Sequence, residues 1–247
     1  MSYKEQREKA IIEYLREHKE ATVGELCRML YVSEPTMRRD LAALGLSGRI
    51  IRTHGGAVYR SELGENLPFS YREREHSDEK AAIAKKCLSL VKDGDVIMVD
   101  GSSSAIALLR LIDVKKSIVV VTNSAKAALV LAETNIKTFV TGGELSADTY
   151  AYVGSHAEEF VKDFNADLCF FSVRRLTADG RLTDNALGEN RVRRAMLSVS
   201  EKSVLLLDSQ KLGEPCLNTL CHIKDVDFVV SEGNLAEKFP EYSDKFM

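Results

Sequence analysis

Apolar side chains recur at helical spacing in the first part of the chain. The segment Lys4–His18 carries Ile11 and Leu15 on one face, with charged residues elsewhere, which predicts an amphipathic helix. Thr22 is followed three residues later by Glu25, the spacing of a capping box, and the pair predicts the start of a second helix.

A third helix is predicted directly after the second. Ser33 is a favourable N-cap residue, and Pro35 falls in the first turn, where its missing N–H costs nothing. Two short helices joined by a tight turn form a helix-turn-helix layout.

A short β-hairpin is predicted to follow the third helix, which Gly45 and Gly48 bring to an end. The stretches Arg49–His54 and Ala57–Tyr59 have strand character, and the two glycines between them favour a turn. The hairpin is a wing beside the third helix.

This layout makes the N-terminal part a candidate DNA-binding domain. The N-terminal residues of a recognition helix contact base edges in the major groove, and a wing holds the backbone or the minor groove. The candidate DNA-binding residues are Ser33, Glu34, Thr36, Met37, Arg38, Arg39, Arg49, Arg52 and His54.

Neighbouring arginines in the third helix cannot read the same base. Arg38 and Arg39 point about 100° apart on a helix, so one is expected to reach the bases while the other pairs with phosphate or packs internally. Asp40 is expected to orient an arginine, because phosphate repels a carboxylate. A winged helix that binds another protein stays open as an alternative.

The rest of the chain alternates short apolar strands with helical patterns. This alternation predicts a mostly parallel sheet covered on both faces. The predicted strands are Val96–Val99, Ile118–Thr122, Thr138–Thr141, Leu168–Val173, Val204–Leu207 and Phe228–Val230. The predicted helices are Asp78–Leu90, Ser104–Leu111, Ala125–Glu133, Ser155–Phe164 and Asn190–Val199.

Four loops at the ends of predicted strands carry glycine and polar side chains. Ligands of such sheets bind beyond the carboxyl ends of the strands, and glycines, hydroxyl groups and helix N-termini suit an anion. The candidate ligand-binding residues in these loops are Asp100, Gly101, Ser102, Ser103, Ser104, Thr122, Asn123, Gly142, Gly143 and Lys211. Each loop alone is equally well explained as a capped turn. Together the four loops predict a site for a small anionic ligand.

Composition and charge agree with a globular protein that has a polyanion partner. The 247 residues are 45% apolar and 29% charged, with a formal net charge of −3. Residues 1–60 hold 11 basic and 8 acidic side chains, so the N-terminal part is mildly basic on an acidic remainder. A surplus of three charges is also compatible with chance.

No membrane span, secretion signal, metal site or cofactor motif is expected from the sequence. The longest apolar run is Ala127–Ala132, whereas a membrane helix needs about 20 residues. The first residues contain no apolar signal region, so a cytoplasmic protein is expected. The five cysteines show no CxxC spacing, Cys216, Cys221 and His222 fit no zinc pattern, and no nucleotide-binding motif is present.

Two stretches resemble the signature of the DeoR family of bacterial transcriptional regulators. One is Val32–Leu41, which reads VSEPTMRRDL, and the other is Arg52–Ala57, which reads RTHGGA. The resemblance continues into the four loops, where Asp100–Ser104, Thr122–Asn123, Gly142–Gly143 and Asp208–Lys211 are similar to the motifs of the family's sensor domain.

The resemblance implies a fold, an effector and partners. It implies an α/β fold class: an N-terminal winged helix-turn-helix domain joined to a mostly parallel α/β sensor domain similar to ribose-5-phosphate isomerase. It further implies a phosphorylated sugar as effector, a double-stranded DNA operator as partner, no membrane partner, and a homo-oligomer that usually represses a carbohydrate operon. The expected division is residues 1–58 for DNA binding, 59–77 as a linker and 78–247 as the sensor.

The sensor motifs depart from the family pattern at two places. Ser172 and Arg175 stand where the family often has glycines, and Glu189 is all that remains of a common acidic run. Arg175 and Glu189 are therefore added to the effector candidates. Arg175 either grips a phosphate, fills the pocket or lies in solvent.

A sugar-phosphate isomerase or deaminase with an appended DNA-binding-like domain is the alternative function. Asp100, Glu189 and Lys211 are residue types that can move protons. The arginine-rich third helix favours a regulator, because an enzyme does not need it.

Overall fold

A computed structural model describes residues 3–46, 49–59, 69–112 and 117–247. The chain divides into two compact units, Met1–Tyr71 and Arg72–Met247. The predicted glycine stop at Gly48 and the centre of the predicted linker lie outside the described residues.

The described residues of the N-terminal unit up to Tyr59 form three helices and a three-stranded sheet. Its elements are α1 (Tyr3–His18), β1 (Glu20–Thr22), α2 (Val23–Leu30), α3 (Glu34–Leu46), β2 (Ile50–Arg52) and β3 (Gly56–Tyr59). The predicted capping box is present: the Thr22 side chain accepts from the Glu25 N–H, and Glu25 accepts from the Thr22 N–H at 2.7 Å. Gly45 does not end the third helix, which continues to Leu46.

The predicted wing is part of a larger sheet in the order β1-β3-β2. The strand β1, which the sequence pattern did not predict, pairs antiparallel with β3. Gly56 permits this pairing, because a Cβ atom there would lie 2.0 Å from the Ala21 carbonyl oxygen. The apolar faces of the helices enclose a core that includes Ile11, Leu15 and Leu26.

The C-terminal unit is an α/β domain. The helix α4 begins in the last residues of the N-terminal unit and ends in the C-terminal unit, and α5 follows it. The helices are α4 (Phe69–Arg74), α5 (Ser77–Cys87), α6 (Ser103–Leu109), α7 (Ala125–Ala132), α8 (Ser155–Val161) and α9 (Leu187–Ser198). The strands are β4 (Val96–Val99), β5 (Val119–Thr122), β6 (Lys137–Val140), β7 (Glu144–Leu145), β8 (Tyr152–Val153), β9 (Ala166–Phe171), β10 (Arg175–Leu176), β11 (Arg181–Asp184), β12 (Ser200–Leu206), β13 (Asn218–His222) and β14 (Phe228–Val230).

Six parallel strands form the main sheet in the order β14-β12-β9-β4-β5-β6. They are the six strands that the apolar runs predict, which confirms the α/β fold class. Strands covered on both faces read as continuous apolar runs, and Phe170, Phe171 and Val121 are fully buried here. Among the described residues, no helix combines the length and apolar character needed to cross a membrane.

Two small antiparallel sheets were not predicted. One has the order β10-β11-β13 and the other is the pair β7-β8. The stretch Arg72–Glu75, which lies in the predicted linker, contributes to α4 and the turn that follows it. There the Arg110 guanidinium pairs with Glu73.

Candidate functional sites

The start of α3 and the wing expose most of the predicted DNA-binding residues. Seven of the nine are exposed: Ser33, Glu34, Arg38, Arg39, Arg49, Arg52 and His54. Thr36 is half-buried, and its hydroxyl lies 3.0 Å from that of Ser33. Both helix arginines therefore face solvent, and neither packs internally.

Met37 does not belong to this surface. Its side chain is fully buried in the core of the N-terminal unit. The helix turn that exposes Arg38 points Met37 inward, so the expectation that Met37 contacts DNA is wrong.

A partly buried ion pair joins α3 to α1. The Arg7 guanidinium in α1 donates to both carboxylate oxygens of Asp40, at 2.8 and 3.2 Å. Asp40 orients an arginine as expected, but the arginine comes from another helix. Arg38 pairs with the exposed Glu34 at 3.1 Å, an interaction that competing phosphate can replace at little cost.

The carboxyl ends of the main strands bring most of the predicted effector residues to one edge of the sheet. Asp100 follows β4, Asn123 follows β5 and Lys211 follows β12, which are strands of the same parallel sheet. Gly142 and Gly143 follow β6 with φ values of 64° and 106°, a left-handed conformation that favours glycine.

The carboxylate of Asp100 is held by hydrogen bonds from the protein itself. One carboxylate oxygen accepts the Ser102 N–H at 3.0 Å, and the other accepts the Ser172 N–H at 3.2 Å and Arg193 Nε at 2.8 Å. Its carboxylate is thus committed to protein donors. This argues against the proton-transfer role that the enzyme alternative gives it.

Arg193 lies at the centre of a buried charge cluster, which sequence reasoning missed. We call Asp100, Asp184, Glu189 and Arg193 the arginine cluster. The Arg193 guanidinium contacts carboxylates of Asp100, Asp184 and Glu189 at 2.8, 3.0 and 3.1 Å. The cluster joins the end of β4, the end of β11 and the first turn of α9.

Burial and charge act in opposite directions within the arginine cluster. Burial alone would lower the pKa of Arg193, but the charges of Asp184, Asp100 and Glu189 outweigh burial and raise that pKa. Burial raises the pKa of Glu189 even though Arg193 lies beside it. Glu189 is buried and paired with Arg193, and its role in effector binding stays a prediction.

Several buried polar atoms at the strand ends lack a hydrogen-bond partner within the described part of the chain. They are Ser104 Oγ, Asn123 Oδ1 and Asp208 Oδ1, which follow β4, β5 and β12. An unpaired buried polar atom costs about 1–3 kcal/mol, so such atoms indicate a place where a ligand or water completes the bonding.

Arg72, Lys80 and Lys211 influence one another electrostatically, and we call them the cation group. Lys211 Nζ donates to Ser172 Oγ at 2.7 Å and lies 3.4 Å from Asp208. Burial lowers the pKa of Lys211. Burial lowers the pKa of Lys80 to about 8, and the positive charge of Lys211 adds to this shift.

The remaining predicted residues have local partners. Ser102 caps α6 through the Ala105 N–H, the Thr122 hydroxyl donates to the Val99 carbonyl, and Arg175 donates to the Gln210 carbonyl at 2.9 Å. Gly101 lies against Ala151, since a Cβ atom there would be 2.9 Å from the Ala151 side chain. Ser103 is buried in the first turn of α6.

The burial of Lys80 is indicated by the sequence. Lys80 shares the buried face of α5 with Ile83, Ala84 and Cys87, so a lysine stands on an apolar stripe. In contrast, the buried position of Arg193 depends on strands remote in sequence. The part of the chain that the structure describes holds no group of three or more His, Cys, Asp or Glu side chains placed for a metal ion.

Comparison with known proteins matches both units to one family. Residues 7–62 match the DeoR-like helix-turn-helix domain, and residues 75–233 match the DeoR C terminal sensor domain. The chain is 32% identical to the HTH-type transcriptional regulator GolR of Listeria innocua, over 93% of this chain and 91% of that protein. It is 29% identical to the HTH-type transcriptional repressor GlcR of Bacillus subtilis, over 93% and 89%.

Among solved structures, the chain is similar to a ribose 5-phosphate isomerase A from Methanocaldococcus jannaschii, with a TM-score of 0.44, 18% identity and 56% of each chain covered.

The family matches together span more than half of the chain and include both the DNA-binding and the sensor unit. These are domains of regulators and not of enzymes. The chain therefore belongs to the DeoR family of transcriptional regulators.

Proposed function

We propose that this protein is a sequence-specific DNA-binding regulator that represses a carbohydrate operon and releases its operator when a phosphorylated sugar binds the C-terminal unit. The observation that carries DNA binding is the exposed set of arginines on α3 and the wing, Arg38, Arg39, Arg49 and Arg52. Arginine side chains bind phosphate and guanine edges bidentately, which suits a duplex.

The strand-end edge supports a phosphorylated sugar as the effector. The cation group supplies charge for a phosphate, and the unpartnered Asn123 Oδ1 and Asp208 Oδ1 are acceptors for sugar hydroxyl groups. The GlcR relative is named as a repressor, which agrees with the proposed repression. We also propose that the protein is a homo-oligomer, because two linked DNA-binding units bind one operator more tightly than a single unit does.

Selection of tight-binding duplexes from a random library tests the DNA-binding part. The affinity for the selected duplex is expected to fall steeply with salt, with a slope of about −0.9 per phosphate contacted. An affinity that salt leaves unchanged would remove the duplex as partner. Sedimentation of the full chain tests the homo-oligomer.

Thermal unfolding with a panel of sugars, with and without phosphate, tests the effector part. A specific ligand at about 100 times its Kd adds about 2.7 kcal/mol, roughly 5–10 °C for a unit of this size. A shift confined to phosphorylated sugars, together with weaker duplex binding, is expected. A shift with unphosphorylated sugars alone would contradict the proposed effector class.

A further inference from the structure

The short helix α4 is held at both ends by contacts that lie within different units. At its start, the Ser70 hydroxyl donates to Glu20 Oε1 of β1 at 3.0 Å, inside the N-terminal unit. At its end, Glu73 pairs with Arg110, and Lys80 Nζ donates to the carbonyl oxygens of Arg72 and Glu75, inside the C-terminal unit.

These contacts decide whether α4 stays ordered. The helix has six residues, and isolated helices shorter than about 12 residues are marginal in water. The last carbonyl groups of a helix have no partner within it. The Lys80 ammonium supplies that partner here and also places positive charge at the helix C-terminus, where it is favourable.

Lys80 also interacts electrostatically with charged groups that follow β12. Its side chain is 5% exposed, and the charges of Lys211, Asp208 and Arg72 all act on it. An anion bound beside Lys211 is therefore a further, charged acceptor for an ammonium that already donates to two carbonyl groups. The ammonium attracts an anion more strongly than it attracts a neutral carbonyl group, because both partners then carry charge, so the anion is the stronger acceptor.

We infer that Lys80 links the strand-end site to the DNA-binding unit: it holds the carbonyl end of α4 when the site is empty and gives up that end when an anion binds. This inference rests on the proposed function for the identity of the anion. Loss of the cap loosens α4, which lengthens the connection between the units. When one DNA-binding unit of an oligomer is bound to the operator, the second unit then has a lower effective concentration at its own half of the operator. The operator is therefore released.

The test compares Lys80→Met with Lys86→Met in the full chain. Lys86 is a matched control, because it lies on the same helix and its ammonium also donates to two carbonyl groups, those of Ser231 and Met247. Hydrogen exchange of residues 69–76 and affinity for the selected duplex are measured without any ligand. For Lys80→Met we expect at least tenfold faster exchange and about tenfold weaker duplex binding, and for Lys86→Met less than a twofold change in either.

A second arm adds ribose 5-phosphate, glucose 6-phosphate, fructose 1-phosphate or inorganic phosphate. In the wild type, the compound that raises the melting temperature is expected to speed exchange in α4 and weaken duplex binding. In Lys80→Met the same compound is expected to bind more weakly, because a cation of the site is lost, so its concentration is raised until the shift in melting temperature saturates. Under those conditions we expect duplex affinity to change less than twofold. A merely structural role for Lys80 would leave that response intact.

Two results would overturn the inference. One is a Lys80→Met variant that binds the duplex as tightly as the wild type with unchanged exchange in α4. The other is equal effects of Lys80→Met and Lys86→Met. If no compound changes the wild-type melting temperature, the proposed effector fails, while the ligand-free comparison still decides whether Lys80 controls α4. Arg110→Met, which removes the more exposed contact of α4, provides a second variant should Lys80→Met not fold, and a weaker effect of the same sign is expected.

Discussion

At the scale of single residues, the C-terminal unit depends on one arginine. Arg193 satisfies three carboxylates that come from two strand ends and a helix, and its side chain is only 4% exposed. A buried ion pair is weak support for stability as a whole, but removal of one partner leaves uncompensated buried charge. The cluster is therefore more sensitive to a missing arginine than to any single missing carboxylate.

We expect Arg193→Met to lower the free energy of unfolding of the C-terminal unit by about 3–5 kcal/mol at pH 7. Without the arginine, Glu189 loses the neighbouring charge that opposes the effect of burial, so its folded-state pKa rises further. A raised folded-state pKa means that stability is regained as the pH falls. The difference in unfolding free energy between the variant and the wild type should therefore narrow between pH 7 and pH 5. Urea unfolding at both pH values measures this.

Arg191→Met is the control, because Arg191 lies on the same helix but is exposed. A change within about 0.5 kcal/mol is expected for it. A deficit in Arg193→Met no larger than that of the control would show that the cluster does not hold the unit together.

Residue roles were the least predictable aspect of the sequence. The local signals succeeded where the interaction spans a few positions, as in the Thr22–Glu25 capping box. The pairs Arg7–Asp40 and Arg193–Asp100 join residues 33 and 93 positions apart, and no periodicity reports such a contact. Met37 was misplaced because the motif gives residue order but not which side of the helix is buried.

At the scale of elements, α3 presents two adjacent arginines from a fixed base. The Arg7–Asp40 pair and buried Met37 hold the inner face, and both Arg38 and Arg39 are exposed on the outer face. Surface charges of this kind contribute little to folding, so their substitution separates binding from stability.

We expect Arg38→Ala and Arg39→Ala each to weaken duplex binding by about 1–3 kcal/mol if the side chain reads a base, with relaxed specificity at one position. If it contacts phosphate, the salt slope should instead fall by about one, uniformly across sequences. Measured melting temperatures should stay close to that of the wild type.

Arg16→Ala, at an exposed position near the end of α1, is the matched control and should bind the duplex like the wild type. Equal losses in all three variants would mean that a general positive charge, rather than α3, attracts the duplex.

Strong periodic elements were predictable, and short ones were not. All six strands of the main sheet were found from their apolar runs, because strands buried on both faces need little context. The two-residue strands β7, β8 and β10 exist through their partners alone, so their sequences carry no pattern of their own.

At the scale of the whole molecule, each unit has apolar side chains packed together among its described residues. Such a cluster contains Ile11, Leu15 and Leu26 in the N-terminal unit, and another contains Cys169, Phe171 and Leu205 in the C-terminal unit. Each unit therefore has its own source of cooperativity.

Calorimetry of the full chain is expected to show two transitions. Unfolding enthalpy near 60 °C is about 0.7 kcal/mol per residue, which predicts about 50 kcal/mol for the N-terminal unit and about 120 kcal/mol for the C-terminal unit. The selected duplex should raise the temperature of the smaller transition, and the sugar phosphate that of the larger. One transition that both ligands shift equally would mean that the units unfold together.

The order in which the contacts are made along the chain has a consequence during synthesis on the ribosome. The contacts that build the N-terminal unit are complete by Tyr71, whereas the strand-end edge needs Arg193 and Lys211. At about 5–20 residues per second, translation of the rest of the chain takes roughly 10–35 s. For that interval a nascent chain carries a finished DNA-binding unit with no means of sensing a metabolite, so its response to the effector begins only when synthesis is nearly complete.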